Sequence, residues 1–252
     1  YGAEAVGALG ILAGLFAILA PLASLSLPLA LVIPATERSA LRLALVSLAW
    51  ASLCSLLLLP VLWLMRDSFA DLLGFAGDAR LLALLSPMLL VLTVDQVASQ
   101  WLVRYRRFAS LARFAAGYAT LTSSLKIGFG LVHASTAVLI LADVTARAVK
   151  GLGLLMAASR QLQTVPGRLA VSLSDFRWVA NHYGDFALLR TPQWILAGAS
   201  MSLPTVLMAG LFGAAAAGYY AICYRVLRLP QTLLARATGK VIQPRLAERA
   251  QA

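Results

Sequence analysis

YGAEAVG, residues 1–7, returns as FGAAAAG at residues 212–218, an offset of 211 residues. Gly2, Ala3, Ala5 and Gly7 recur as Gly213, Ala214, Ala216 and Gly218, and Tyr1 is answered by Phe212. Ala and Gly are common in this chain. The echo therefore carries meaning only if both copies occupy the same place in a larger repeat, and the residues around them decide that.

The chain of 252 residues is 61% hydrophobic and 12% charged, with a mean hydropathy of +0.84. A soluble domain has about 25% charged residues, so this chain lacks the polar material to cover a water-facing surface. It reads as an all-α integral membrane protein. The net charge of +11 does not point to nucleic acid, because the basic residues fall between apolar runs rather than on one polar face. Cys54 and Cys223 lie inside apolar runs and read as small buried hydrophobes rather than a disulfide. There is no initiator Met and no basic n-region before the first apolar run. The sequence looks like a piece of a longer protein.

A spanning helix needs about 20 mainly apolar residues. Seven candidates meet that length, at about 5–33, 40–65, 80–103, 109–132, 134–158, 187–212 and 214–236. The first contains Pro21 and Pro28 and is expected either to bend or to end near Ser24 and continue irregularly. The segment 159–186 has Phe176, Val179, Ala180 and Tyr183 near helical spacing. It reads as an interfacial amphipathic helix, or as a polar loop with aromatics.

The connections between these spans alternate in charge. Those at 34–42, 103–113, 160–190 and 236–252 carry 14 Lys and Arg, whereas those at 1–4, 66–80, 131–137 and 213–218 carry 2. Lys and Arg are retained on the cytoplasmic side. Residue 1 is therefore expected outside and the C-terminus in the cytoplasm.

Both copies of the opening stretch then fall on the outer side, each before an outside-to-inside helix. The second copy follows a helix rising from the cytoplasm, and the first copy is expected to follow one too. Six helices then separate equivalent points, an even number, so the repeats are parallel. Parallel six-helix repeats about an axis along the membrane normal are a transporter architecture. On this count residues 1–160 hold helices 2 to 6 of a first lobe, without its helix 1. Residues 161–186 form a cytoplasmic interfacial linker, and 187–252 start a second lobe with helices 7 and 8. That is about seven helices of an expected twelve.

Seven charges fall inside the spans: Lys126, Arg147, Lys150, Arg225 and Arg228, with Asp95 and Asp143. Intramembrane charges are costly and usually face a bundle interior or a water-filled cavity. Asp143 and Arg147 are four residues apart, with Lys150 three further along the same helix face. One reading is a cationic cavity for an anionic substrate, above all a phosphate, with Arg as a bidentate partner and Lys as a point charge. The other is structural. Lys150 and Arg228 would snorkel to the interface, Asp143–Arg147 would be a local pair, and Asp95, whose other reading is a proton or sodium site, would hydrogen-bond Gln96, Ser99 or Gln100.

Catalytic signals are poor. There is no Cys/His metal spacing, no Walker loop and no GxSxG, and no cofactor is implied. His133 and His182 are isolated. Asp67 and Asp71 in RDSFAD suit either a carboxylate pair in an outer loop or, more simply, a solvated short helix.

The later part of the chain carries the most specific text. It contains F-x-L-x-x-TP from Phe186 to Pro192, the dipeptide Leu203–Pro204, the LFG…AG-Y-A turn, and RVLxLP from Arg225 to Pro230, with Arg228 at the unspecified position. The front contains YGAEAVG, LALVIP followed by ERSA, and WLVRYRRF. In this order the stretches resemble the Wzx-type oligosaccharide flippases of the multidrug/oligosaccharidyl-lipid/polysaccharide exporter superfamily. The resemblance implies a MATE-like fold of two six-helix lobes around a charged central cavity. It implies alternating access in the bacterial inner membrane and a lipid-linked oligosaccharide carried on undecaprenyl pyrophosphate, for O-antigen, capsule or exopolysaccharide assembly. A polysaccharide polymerase and glycosyltransferases are the implied protein partners, and the chain would be a transporter rather than an enzyme. Among the seven charges, only Arg225 lies in a stretch that matches the family's pattern. A drug/cation antiporter of the same fold and a membrane glycosyltransferase or polymerase are the rivals. Basic residues outnumber acidic ones in the spans by five to two, which disfavours the antiporter.

Overall fold

The computed structural model describes residues 1–75, 78–162, 171–224, 226–228 and 230. Among these residues there are helices and turns and no strand. The α-helices are α1 (Ala3–Ser24), α2 (Glu37–Leu64), α3 (Arg66–Leu73), α4 (Leu85–Arg104), α5 (Phe108–Val132), α6 (Thr136–Leu162) and α7 (Leu173–Phe212). Residues 214–224 form a further helical stretch.

Local chemistry sets the ends. Helix α1 stops at Ser24, where Leu25 and Ser26 both take left-handed backbone conformations. The chain continues as a 3-10 turn, Leu27–Val32, so the second of the two expectations for this segment holds. Helix α2 opens on Thr36, whose side chain accepts from the Ser39 N–H at 3.3 Å, with Glu37 in the first turn. Helix α3 ends on Gly74 at a positive φ, which glycine adopts without strain. RDSFAD is thus a short helix. Helix α7 opens on a capping box between Ser172 and Asp175.

Among the described residues, four helical segments are long and apolar enough to cross a membrane: Ala3–Ser24, Glu37–Leu64, Ala79–Arg104 and Leu173–Phe212, with mean hydropathies from 1.7 to 2.3. The chain is a multi-pass membrane protein. Helices α5 and α6 have the length, at 25 and 27 residues, but not the apolarity. They carry Lys126 on one and Asp143, Arg147 and Lys150 on the other. The seventh expected span, 214–236, runs into residues outside those described.

One expectation is corrected. Residues 173–186 are neither a separate interfacial helix nor a loop. They are the first part of α7, which continues unbroken through Pro192 and Pro204 for 40 residues. At 1.5 Å per residue that is about 60 Å, twice the roughly 30 Å hydrocarbon core. The early turns of α7 are pinned by packing: Val179 is buried, and Phe176, Trp178 and Tyr183 lie against the same core cluster.

Arg38, Arg42, Arg104, Arg106 and Arg107 gather at one end of the bundle, whereas Arg66 and Arg80 lie at the other. Arg104 Nη1 donates to the Leu31 and Pro34 carbonyls at 3.2 and 2.7 Å, which ties α4 to the turn after α1. Tyr105 donates to Glu37 Oε1 at 2.6 Å, and Arg42 lies 3.4 Å from Asp175 at the start of α7. At the opposite end the Tyr1 hydroxyl donates to the Lys126 carbonyl at 2.7 Å, and Gly74 lies against Ala209 of α7. One core cluster, with Trp101, Leu43 and Leu154, serves the basic end; another, with Ile11, Phe16, Leu89 and Ile140, serves the rest. Large apolar side chains on α2 such as Leu56, Leu57 and Leu64 stay exposed, as helices solvated by lipid allow.

Without a hydrophobic drive between helices in lipid, small residues and interhelical hydrogen bonds set the packing. Helices α2 and α4 are clasped by Ser55 and Ser86, each hydroxyl donating to the other's carbonyl at 2.9 and 2.6 Å. Helix α1 meets α7 and the stretch 214–224 through glycines. A Cβ on Gly14 would stand 3.1 Å from Ser202, and one on Gly10 3.1 Å from Thr205. Pro21 has no N–H, so the Ala17 carbonyl loses its partner one turn back. That carbonyl faces Gly198, where a Cβ would stand 2.6 Å away.

The two copies of the opening stretch touch. A Cβ on Gly7 would fall on the Ala214 carbonyl oxygen, and one on Gly218 on the Ala3 carbonyl oxygen. Gly7 is the sequence equivalent of Gly218, and Ala3 of Ala214. The contact is therefore reciprocal.

Candidate functional site

Two ion clusters lie side by side within the bundle. Helix α6 supplies Asp143, Arg147 and Lys150 from successive turns of one face; α4 supplies Asp95, and α5 supplies Lys126 and Tyr118. Asp143 is shared. Arg147 Nε lies 2.7 Å from its Oδ2 and Lys126 Nζ 3.2 Å from its Oδ1. Lys150 Nζ lies 3.0 Å from the Asp95 carboxylate. The two carboxylates are largely buried, at 15% and 18% side-chain exposure. Charges at this depth persist only because each has a partner.

Aromatic rings join the clusters. Arg147 lies over the rings of Phe16 on α1 and Tyr118 on α5, at 5.3 and 5.8 Å from their centroids. Lys150 lies 5.5 Å from the same Tyr118 centroid. Cation–π attraction of this kind strengthens where water is excluded. A cavity of about 40 Å³ sits among Asp95, Tyr118, Arg147 and Lys150, floored by Val91 and Leu92. It is polar and large enough for water.

The sequence-level candidates separate accordingly. The Asp143–Arg147 pair stands, and Lys126 joins it from another helix. Lys150 does not snorkel but turns inward to Asp95. Asp95 is corrected: its partner is Lys150 across 55 residues of chain, not Gln96, Ser99 or Gln100. Arg228 stands apart from the network, with its guanidinium 5.1 Å from the Tyr224 ring centroid and 3.4 Å from Met201 Sδ. Arg225 lies outside the described residues. Tyr118 and Phe16 were not singled out from the sequence. Tyr118 was within reach, since it precedes Lys126 by eight residues, about two turns on the same face of α5. Among the described residues no cluster of three or more His, Cys, Asp or Glu side chains could hold a metal.

The described network thus holds three cations against two carboxylates, a surplus of one positive charge. An anion entering it would compete with Asp95 and Asp143 for donors already in place.

A family model described as "Polysaccharide biosynthesis protein" matches residues 4–252. The chain belongs to this family. The match spans almost the whole sequence and bears out the resemblance to Wzx-type flippases at the level of the family. No curated protein and no solved structure matches the chain significantly. A role in polysaccharide assembly follows from the family, and transport suits its membrane helices.

Proposed function

We propose that the chain is part of an alternating-access flippase that moves an undecaprenyl-pyrophosphate-linked oligosaccharide across the bacterial inner membrane. The sugar unit would feed O-antigen, capsule or exopolysaccharide assembly, beside a polymerase and glycosyltransferases. The observation that carries this reading is the part-buried network of Lys126, Arg147 and Lys150 in a member of a polysaccharide biosynthesis family. A pyrophosphate head needs multiple charge-assisted donors inside the membrane. The polyprenyl chain stays in lipid, so only the head has to enter the bundle. No chemistry on the sugar is required, and the chain reads as a transporter rather than an enzyme.

The reciprocal contact of Gly7 with Ala214 and Gly218 with Ala3 supports a MATE-like pair of parallel lobes, here with seven helices, meeting along α1 and the stretch 214–224. Rocking of one lobe against the other would expose the network to each side in turn. The clustering of arginines at one end supports a cytoplasmic C-terminus and residue 1 outside. One observation favours a second reading. Asp95 and Asp143 are both inside the network, where a cation antiporter of the same fold would place its ion sites.

The test uses the full-length protein in proteoliposomes loaded with a labelled lipid-pyrophosphate-oligosaccharide, following leaflet accessibility over time. Transfer that falls at least about tenfold in Lys126→Gln and Arg147→Gln, the loss of roughly 1.4 kcal/mol of transition-state stabilisation, supports the flippase. Undiminished transfer in both variants removes the network from the substrate path. Cation uptake that instead fails in Asp95→Asn moves the assignment to the antiporter.

A further inference from the structure

We propose that the seam between the start of α5 and the end of α6 holds the phosphate of an anionic phospholipid from the surrounding leaflet. The site is separate from the ion network, and its ligand does not depend on the flippase reading. A cavity of about 690 Å³ opens there. Arg107, Ser110 and Arg113 stand on its polar side, and Phe114, Gly153 and Met156 form its apolar side. A headgroup phosphate and the first part of a hydrocarbon chain match those two sides.

The charge is available. The Arg113 guanidinium carries five donors, and its Nη2 makes one long contact, 3.4 Å to the Ser110 hydroxyl. Among the described residues no carboxylate pairs with Arg113. Among the described residues no acidic side chain lines the cavity. Gly153 lets the Phe114 ring lie on the floor of the cavity: a Cβ there would stand 2.6 Å from the ring.

The position selects a lipid over a soluble anion. Helix α5 buries none of its residues, so among the described residues its seam with α6 lies uncovered. Met156 on the α6 side is 71% exposed. Arg107 caps the start of α5 at the arginine-rich end of the bundle, where headgroups lie. A phospholipid from the bulk leaflet reaches this seam without entering the protein. The isoprenoid-linked substrate belongs to the interior site and is the alternative occupant.

The test is native mass spectrometry of the full-length protein released from nanodiscs of phosphatidylglycerol or phosphatidylcholine. The wild type is expected to retain phosphatidylglycerol and not phosphatidylcholine. Arg107→Gln and Arg113→Gln should each lower that retention about fivefold, the equivalent of roughly 1 kcal/mol per basic residue. Gly153→Leu should lower it with both arginines intact, because it fills the floor. Arg38→Gln, at the same end but off the seam, should leave it unchanged. Equal retention of the two lipids overturns the proposal. So does an Arg38→Gln loss as large as that of Arg113→Gln, which would mean a diffuse basic surface. Displacement of phosphatidylglycerol by equimolar undecaprenyl phosphate would also overturn it and give the seam to the substrate lipid. None of these readouts involves transport, so they stand whether or not the flippase reading does.

Discussion

Asp143 is the residue on which most of the network depends, because it is the shared partner of Lys126 and Arg147. Replacing it by Asn leaves two cations facing each other in a poorly hydrated interior. Removing one partner of a buried ion pair costs about 3–5 kcal/mol. Asp143→Asn is therefore expected to lower the thermal unfolding midpoint in detergent clearly. Adding Lys126→Gln to it should recover part of the loss, since one stranded charge is then gone and the sites are coupled. A double variant no more stable than the single would mean that Lys126 finds water, not Asp143. Half of this site was legible in the sequence. Asp143, Arg147 and Lys150 share a face because the helix period puts i, i+4 and i+7 together. The partners that come from other helices, Lys126 to Asp143 and Lys150 to Asp95, are tertiary facts that no local spacing encodes. Asp95 shows the error this invites: its polar neighbours in sequence were the obvious partners, and the structure passes them over.

At the scale of elements, α1 and α7 are held by close approach. Pro21 frees the Ala17 carbonyl, and Gly198 alone lets α7 come near enough to meet it. Gly198→Val would place methyl groups against that carbonyl and force the helices apart. The loss should exceed that of Gly117→Val, a glycine with open space around it, by about 1–3 kcal/mol, the usual cost of overpacking. Thermal unfolding of the two variants side by side decides it, and equal midpoints would remove the contact from the account. The Ser55–Ser86 clasp is a smaller effect. Ser86→Ala removes one donor, and about 0.6 kcal/mol is the average for such bonds in membranes; its midpoint should fall less than that of Gly198→Val. Four of the seven expected spans were legible, because apolar runs of bilayer length have few other uses. The junction at 186 was misread for a physical reason. A helix does not have to end where the membrane does, and the packing of Phe176, Val179 and Tyr183 on the core carries α7 past that boundary unbroken.

At the scale of the molecule, the echo in the sequence is a contact in space. The copies at residues 1–7 and 212–218 lie against each other, glycine to carbonyl, in both directions. The sequence showed that the two stretches match, but not that they would meet, because the contact appears only once the helices are packed. If the proposed lobes rock against each other across this contact, a covalent link there should stop them. Gly10 and Ala221 suit such a link, since a Cβ at residue 10 would lie 3.8 Å from the Ala221 Cβ, the mean Cβ separation of a disulfide. The variant would carry Gly10→Cys and Ala221→Cys, with Cys54 and Cys223 replaced by Ser. Mild oxidant should abolish its transfer of lipid-linked sugar in proteoliposomes, and reductant should restore it. Each single-cysteine variant should keep its activity under oxidant. If the bridge forms, shown by resistance of the residue 10 and 221 thiols to alkylation, and transfer continues, then α1 and the 214–224 stretch move as one body. The moving surface would then lie elsewhere, and the reciprocal contact would be a fixed joint within a lobe.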